Sequence, residues 1–303
     1  MEDEVMFSPE HLAFLVHLDL IPNIFVVGPI VDIFAFGNAQ DGGQYAEDLV
    51  AWGVLTPDHD FTPAGRALFT GIYQFDSAIW GVLYLHNQKQ PFSIELSEEL
   101  IEWGLDKTLT DTPKVFWQIS VAFGLVYILV RAGDRVSLTA VPEKETAARE
   151  MSKALLNVLD PEHDFSPVAG PGISFPATEF MENEVSFEPG KDSAKQERDL
   201  RKALKDLSVP TAWIDRYIEL QKIEHLASTT INYSTTSENV SEASARISFI
   251  LDKGTQIAYV KQGIDQIYRI HFDPASPEKV EQAINILAKS KMIQRPGLSV
   301  LTH

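Results

Sequence analysis

The stretch VFWQISVAFGLVYILVRAGDRVSL, residues 115–138, decides the fold class. Val115, Trp117, Ile119, Val121 and Phe123 alternate with Phe116, Gln118, Ser120 and Ala122, the period of two of a strand with unlike faces. Residues 125–130 are apolar on both faces, as in a strand inside a sheet. Ala132-Gly133-Asp134 reads as a hairpin turn, after which Val136 and Leu138 resume the alternation. Consecutive antiparallel strands follow from this stretch alone.

The pattern extends outward. Residues 78–86, nearly all apolar, predict a strand upstream, and residues 142–158 predict a helix downstream with Ala147, Met151, Leu155 and Val158 on one side. A similar order returns late in the chain. Strands are predicted over 229–233, 246–251, 256–261 and 266–272, with turns at Lys253-Gly254 and Gln262-Gly263. A helix capped by Ser276-Pro277-Glu278 follows. The tripeptide Pro-Glu-Lys stands at both helices, as Pro142-Glu143-Lys144 and Pro277-Glu278-Lys279. Further helices are predicted from Ser8-Pro9-Glu10 to Pro22, over 45–52 with Gly53 as stop, from Thr62-Pro63 to about Tyr73, and over 194–207 and 211–226. Residues 24–36 read as extended.

These elements predict a mixed α+β fold: antiparallel sheets with helical bundles, in two subdomains related by a pseudo-two-fold axis. Residues 1–159 form the first and 194–303 the second. Residues 160–193, rich in proline and glycine, form a connector with a short extended piece at 173–175, and the whole is one compact unit.

Composition narrows the function. The 303 residues are 45% hydrophobic and 22% charged, a globular balance. Forty-three acidic residues against 25 basic ones leave a net charge of −18, which repels phosphate backbones and anionic lipid; no nucleic-acid partner is expected. No cysteine is present, so disulfides and thiolate chemistry are excluded. The acidic start and short, broken apolar runs predict no membrane insertion and a cytoplasmic location.

The chain carries no nucleophile elbow, phosphate loop, zinc-protease helix or dinucleotide fingerprint. A local echo, LTPDHDFTP at 55–63 and LDPEHDFSP at 159–167, sets His59 and His163 among carboxylates. A metal site would use such groups, but adjacent side chains point apart, so the echo reads first as a polar turn. The acids at 95–99 and 179–184 read as solvated charge. No catalytic residue, metal or cofactor is expected.

Residues 87–113 need another explanation. They lie between two predicted strands and are too long for a plain hairpin loop. Phe92, Ile94, Leu96, Leu100, Ile101, Trp103 and Leu105 make the segment apolar. It either packs on its own sheet or serves as a partner-binding arm.

Several stretches, taken in order, resemble the EspG family, chaperones of type VII (ESX) secretion systems. They are the capped helix through LDLIP (18–22), LVAWGVL (49–55), the hairpin at 121–136, LLNVL (155–159) before AGPGISFP (169–176), LRKAL (200–204) and the hairpin ILDKG (250–254). Gln256 departs from the family, which has arginine there, and the late motif lacks its Trp and Thr. The resemblance implies an α/β fold without enzymatic activity or cofactor. It implies a PE–PPE heterodimer, or another helical ESX substrate, as partner, gripped at the hydrophobic tip of its helical bundle. It also implies contacts from the loop between the second and third strands, from the sheet, and from the C-terminal helices. By position that loop is 87–113. The expected anchors are Phe92, Ile94, Leu96, Leu100, Trp103 and Leu105, with Trp213 and Tyr217 on the later helix as second-rank candidates whose alternative is core packing. Two rival readings remain: a homo-oligomeric scaffold joined through the same segment, and a hydrolase or metal-dependent enzyme using His59 or His163.

Overall fold

The computed structural model describes residues 5–22, 42–86, 114–133, 135–182, 193–235 and 239–294. In chain order they form β1 (Val5–Phe7), α1 (Pro9–His17), α2 (Gly42–Ala51), α3 (Pro63–Tyr73), β2 (Ser77–Leu85), β3 (Lys114–Ala122), β4 (Leu125–Ala132), β5 (Arg135–Pro142) and α4 (Ala147–Leu159). There follow β6 (Ile173–Pro176), α5 (Ala177–Glu182), α6 (Ser193–Asp206), α7 (Thr211–Lys222), β7 (His225–Ser234), β8 (Asn239–Ser241), β9 (Ala245–Ile250), β10 (Gly254–Gln262), β11 (Tyr268–Pro274), α8 (Pro277–Ala288) and β12 (Met292–Gln294). The predicted stretch at 24–36 lies outside the described residues.

Local chemistry sets the helix starts. Ser8 is extended ahead of Pro9, and its N–H donates to His11 Nδ1 at 3.1 Å, so a histidine does the work of the usual capping-box glutamate. Thr62 Oγ1 accepts from Gly65 N–H at 3.0 Å, and Ser276 Oγ from Lys279 N–H at 3.4 Å. The helix predicted from Pro142 starts five residues later. Pro142 sits opposite Leu125 in the β4–β5 ladder, which holds the chain extended, and Thr146 stands before the first turn. The two Pro-Glu-Lys tripeptides therefore occupy unlike places, one closing a strand and one opening a helix.

The sheet is mixed with helices in an α+β arrangement, and every pairing between named strands is antiparallel. Its order is β1-β5-β4-β3-β2-β7-β9-β10-β11-β6, with β8 and β12 branching beside β7. Strands β2 and β7 meet at its centre. One face is covered by α4 and α8, which pack on each other; Ser152 Oγ donates to the Pro277 carbonyl at 2.7 Å, and Arg149 bonds Glu281 at 3.1 Å. Ile79, Trp117, Ile119, Leu155, Ile231, Ile247, Val280 and Ile284 fill this interface. Trp117 is wholly buried there and donates its indole N–H to Thr229 Oγ1 at 3.0 Å.

The other face is covered at its two ends. Over β4 and β5, α1, α2 and α3 enclose Leu12, Leu15, Leu49, Phe69, Leu129, Val136 and Leu138. Over β11, the α5–α7 group encloses Phe175, Phe180, Leu204, Ile214, Tyr217 and Phe272. Residues 160–193, read as a connector, thus supply a strand paired with β11 and core residues such as Phe175, which is fully buried. The alternation in β3 predicted a polar face for Gln118 and Ser120. Both are buried, because the carbonyls of Ile72 and Gly71 in α3 accept from them at 2.7 Å each.

Candidate functional site

Between those two helical groups no described helix covers the sheet face, which forms a trough among the described residues. Its floor comes from alternate residues of the central strands. The register places Phe116 opposite both Val82 and Arg131, Trp80 opposite Asn232, Tyr84 opposite Ser228, and Thr230 opposite Arg246. Directly opposed residues share a face, so these side chains form one surface. Thr230 and Arg246 are exposed and Trp80, Val82, Tyr84, Phe116 and Asn232 half-buried, in the middle strands of a sheet where full burial is the norm.

The floor is held in place by hydrogen bonds. Trp80 donates its indole N–H to Ser234 Oγ at 3.0 Å, and Asn232 Nδ2 donates to the Trp80 carbonyl at 3.3 Å. Arg131 lies 5.6 Å from the Phe116 ring centroid, a cation–π distance. Burial pushes the Arg131 guanidinium down, and Glu10 opposes the shift. Arginine remains charged under any such shift. Arg246 donates to Ser228 Oγ at 3.1 Å, and that hydroxyl also meets His86 Nε2 at 3.0 Å. Burial pulls His86 below its ordinary value, with Arg246 and His225 adding to the effect. His225 is lowered by burial and by Arg246, against a hydrogen bond with the Leu220 backbone. Its Nε2 is buried without a hydrogen-bond partner among the described residues. Both shifts favour the neutral form of the ring.

The 87–113 segment is rooted at one end of this floor. Tyr84 at the end of β2 pairs with Lys114 at the start of β3, so the segment leaves and returns on adjacent strands. Leu85 pairs with Ala227, so α7 enters β7 at the same end. Phe92, Ile94, Leu96, Leu100, Trp103 and Leu105 themselves lie outside the described residues. Trp213 is half-buried against the α5–α7 cluster. Tyr217 is 5% exposed, with ring centroids 5.0 Å from Phe272, 5.3 Å from Phe180 and 5.4 Å from Phe175. Its position is that of a core aromatic, the alternative weighed for it in the sequence.

His59 and His163 occupy copies of one turn. In each, the histidine N–H donates to the carbonyl three residues back, from His59 to Thr56 at 2.9 Å and from His163 to Asp160 at 3.1 Å. The next N–H donates to the side chain of that same residue, Asp60 to Thr56 Oγ1 at 3.2 Å and Asp164 to Asp160 Oδ1 at 3.0 Å. Both histidines take positive φ, 64° and 57°. The repeated letters encode a turn that closes the chain after α2 and after α4.

Trp80, Tyr84, Phe116, Thr230 and Arg246 were missed in the sequence as site residues. The aromatic ones carry the same signal as core, and only the phase they share with Arg246 and Thr230 across the ladder sets them apart.

No family model and no curated relative matches the sequence. Among solved structures, one of the Mycobacterium tuberculosis type VII secretion system chaperone EspG5, in complex with a PE25–PPE41 dimer, superposes with a TM-score of 0.65. The match covers 97% of this chain and 98% of that chain at 13% sequence identity. The chain has the EspG5 fold. Among the described residues, no helix is long and apolar enough to cross a membrane.

Proposed function

We propose that this protein is a member of the EspG family: a cytosolic secretion chaperone of a type VII system that binds a PE–PPE heterodimer or a related helical client and performs no chemistry on it. The observation that carries the reading is the end-to-end fold likeness to a chaperone solved with such a client. The trough supports it: aromatic and aliphatic side chains stand half-exposed on a sheet face flanked by helices. Phe92, Ile94, Leu96, Leu100, Trp103 and Leu105, on the segment rooted at its end, supply the remaining apolar anchors, with Trp213 at the flank.

Masking is the physical mechanism. An apolar helical tip left in water drives aggregation. Covering it gains about 25 cal/mol per Å² of apolar surface, less the cost of association. We also read the two halves as a duplicated unit. The sheet order reads alike outward from the β2–β7 centre, each half ending on a strand, β1 or β6, that precedes its own four-strand run, and α4 pairs with α8. The shared turn at His59 and His163 does not bear on this, since one lies between α2 and α3 and the other ahead of β6.

The test is capture of a PE–PPE pair from the same host, co-expressed with the wild type and with Trp103→Ala or Leu100→Asp. Both variants lose capture with the melting temperature unchanged. If they unfold the protein, the segment is core and the anchor assignment fails. A stable homodimer that refuses the client favours the scaffold reading instead.

A further inference from the structure

We propose that the end of the sheet remote from residues 87–113 carries a docking site for an arginine side chain of a second protein, received by Tyr73, Phe75 and Phe123 together with the Asp76 carboxylate. This does not rest on the chaperone reading.

The site lies where α3 ends and β3 turns into β4. Strands β2 and β3 pair from Ser77↔Val121 to Tyr84↔Lys114, so this end is opposite to the one from which the 87–113 segment leaves. A cavity of about 280 Å³ opens here, lined by Tyr73, Gln74, Phe75, Asp76, Ala122 and Phe123. Pockets for drug-sized ligands run from about 300 to 1,000 Å³, so this one is sized for a single side chain. Asp76 N–H donates to the Val121 carbonyl at 2.9 Å, which ties the link between α3 and β2 to the end of β3.

Three features of the lining favour a cation. Asp76 is exposed, and its carboxylate makes no ion pair or hydrogen bond among the described residues. Helix α3 ends at Tyr73 with no basic residue in its last turn. The carbonyls of Thr70, Gly71 and Ile72 accept from Gln74 N–H, Ser120 Oγ and Gln118 Nε2, whereas no described donor takes that of Tyr73. The negative end of the helix dipole is therefore left without a cation of its own. The third feature is the aromatic lining. The faces of such rings attract cations, and a planar guanidinium stacks on them better than a compact ammonium does. The net charge of −18 draws a basic partner toward the whole chain, but only here do carboxylate, helix end and aromatic rings meet at one cavity.

Phe123 supplies an independent argument. Ala122 pairs with Leu125, so β3 and β4 are joined by two residues, Phe123 with φ of 53° and Gly124 with φ of 72°. A two-residue turn with both φ positive favours Asn-Gly. Phenylalanine in that conformation is uncommon and costly. The ring returns little to folding, since it is 68% exposed and joins no core cluster. Contact with a partner accounts for an aromatic held at the rim of a cavity against its own backbone preference. The exposed ring also offers apolar surface to the residues that flank the arginine, which free arginine could not use.

The experiment titrates the isotope-labelled full chain with acetyl-leucyl-arginyl-leucinamide and follows backbone amide shifts. The same peptide with citrulline, neutral and close to arginine in shape, is the charge control, and free arginine amide is the source control. The arginine peptide shifts the amides of residues 73–76 and 122–124 and saturates, and the citrulline peptide binds about tenfold more weakly. Asp76→Asn weakens the arginine peptide about threefold. Phe123→Asn, which suits the turn, weakens it about tenfold without loss of stability. Equal binding of the citrulline peptide, or shifts spread over the acidic surface with none concentrated at these residues, overturns the inference. Unchanged affinity in Phe123→Asn does the same. Free arginine amide bound as tightly as the peptide overturns the assignment to a protein partner.

Discussion

Replacing Gly81 by alanine strikes the seam where the two halves of the sheet meet. A Cβ at this position would lie 2.0 Å from the Thr230 carbonyl oxygen and 2.7 Å from Trp117 Cζ2. Neither atom can move freely. The carbonyl belongs to β7, whose register with β2 is fixed on both sides by Trp80–Asn232 and Leu83–Thr229, and Trp117 is wholly buried. Ordinary contact needs about 3.5 Å, so β7 must retreat by roughly 1 Å or more. Overpacking of this kind costs about 1–3 kcal/mol. Reduced freedom of the unfolded chain returns about 0.4–1 kcal/mol. The net loss is about 1–2 kcal/mol, which in a chain of this size lowers the melting temperature by about 2–3 °C. Gly43→Ala is the control, since nothing lies within 4 Å of its Cβ; it leaves the temperature unchanged or raises it. Scanning calorimetry or urea titration reads both. A Gly81→Ala protein as stable as wild type would refute the claim that β2 and β7 are in close backbone contact at this point.

Three further outcomes follow from the structure. Tyr217→Ala leaves a hole among Phe175, Phe180 and Phe272 and costs about 3–5 kcal/mol of stability by urea unfolding, whereas a stable variant that only lost client binding would return Tyr217 to the anchor list. Phe123 holds φ of 53° and Gly124 φ of 72° in the β3–β4 turn, and Phe123 is 68% exposed, so Phe123→Asn, better suited to that conformation, raises stability by about 1 kcal/mol; a fall would mean that the ring packs usefully. His11, His86, His225 and His271 are all held below 6.5 with burial as the largest cause, so the unfolded chain binds more protons than the native one as acid is added. Stability is therefore full above pH 6.5 and declines as pH falls from there through the depressed values; calorimetry between pH 7.5 and 5 showing a rise would reverse the assignment.

Much of the fold was legible because its signals are local. Ser8-Pro9, Thr62-Pro63 and Ser276-Pro277 mark helix starts by their own hydrogen-bonding chemistry, and the β3–β5 meander declares itself by periodicity. What escaped depends on distant parts of the chain. β1, β8 and β12 are three residues each, too short to show a period. Gln118 and Ser120 look solvent-facing until α3 brings carbonyls to them. The trough escaped for the converse reason: Trp80, Tyr84 and Phe116 look like core, and only the placement of the described helices over the two ends of the sheet sets these half-buried side chains apart from it. Apolar character reports that a side chain seeks cover; it does not report whether the cover comes from the same chain.

That distinction is open to one direct measurement. The chain has no cysteine, so Thr230→Cys places a single thiol on the trough floor, and Ile264→Cys places one on the fully exposed β10–β11 turn. Maleimide labelling rates are compared with and without a saturating PE–PPE pair. A helical client seated in the trough slows labelling at position 230 by at least tenfold and leaves position 264 unchanged, whereas equal rates at position 230 in the free and client-bound protein would contradict the account.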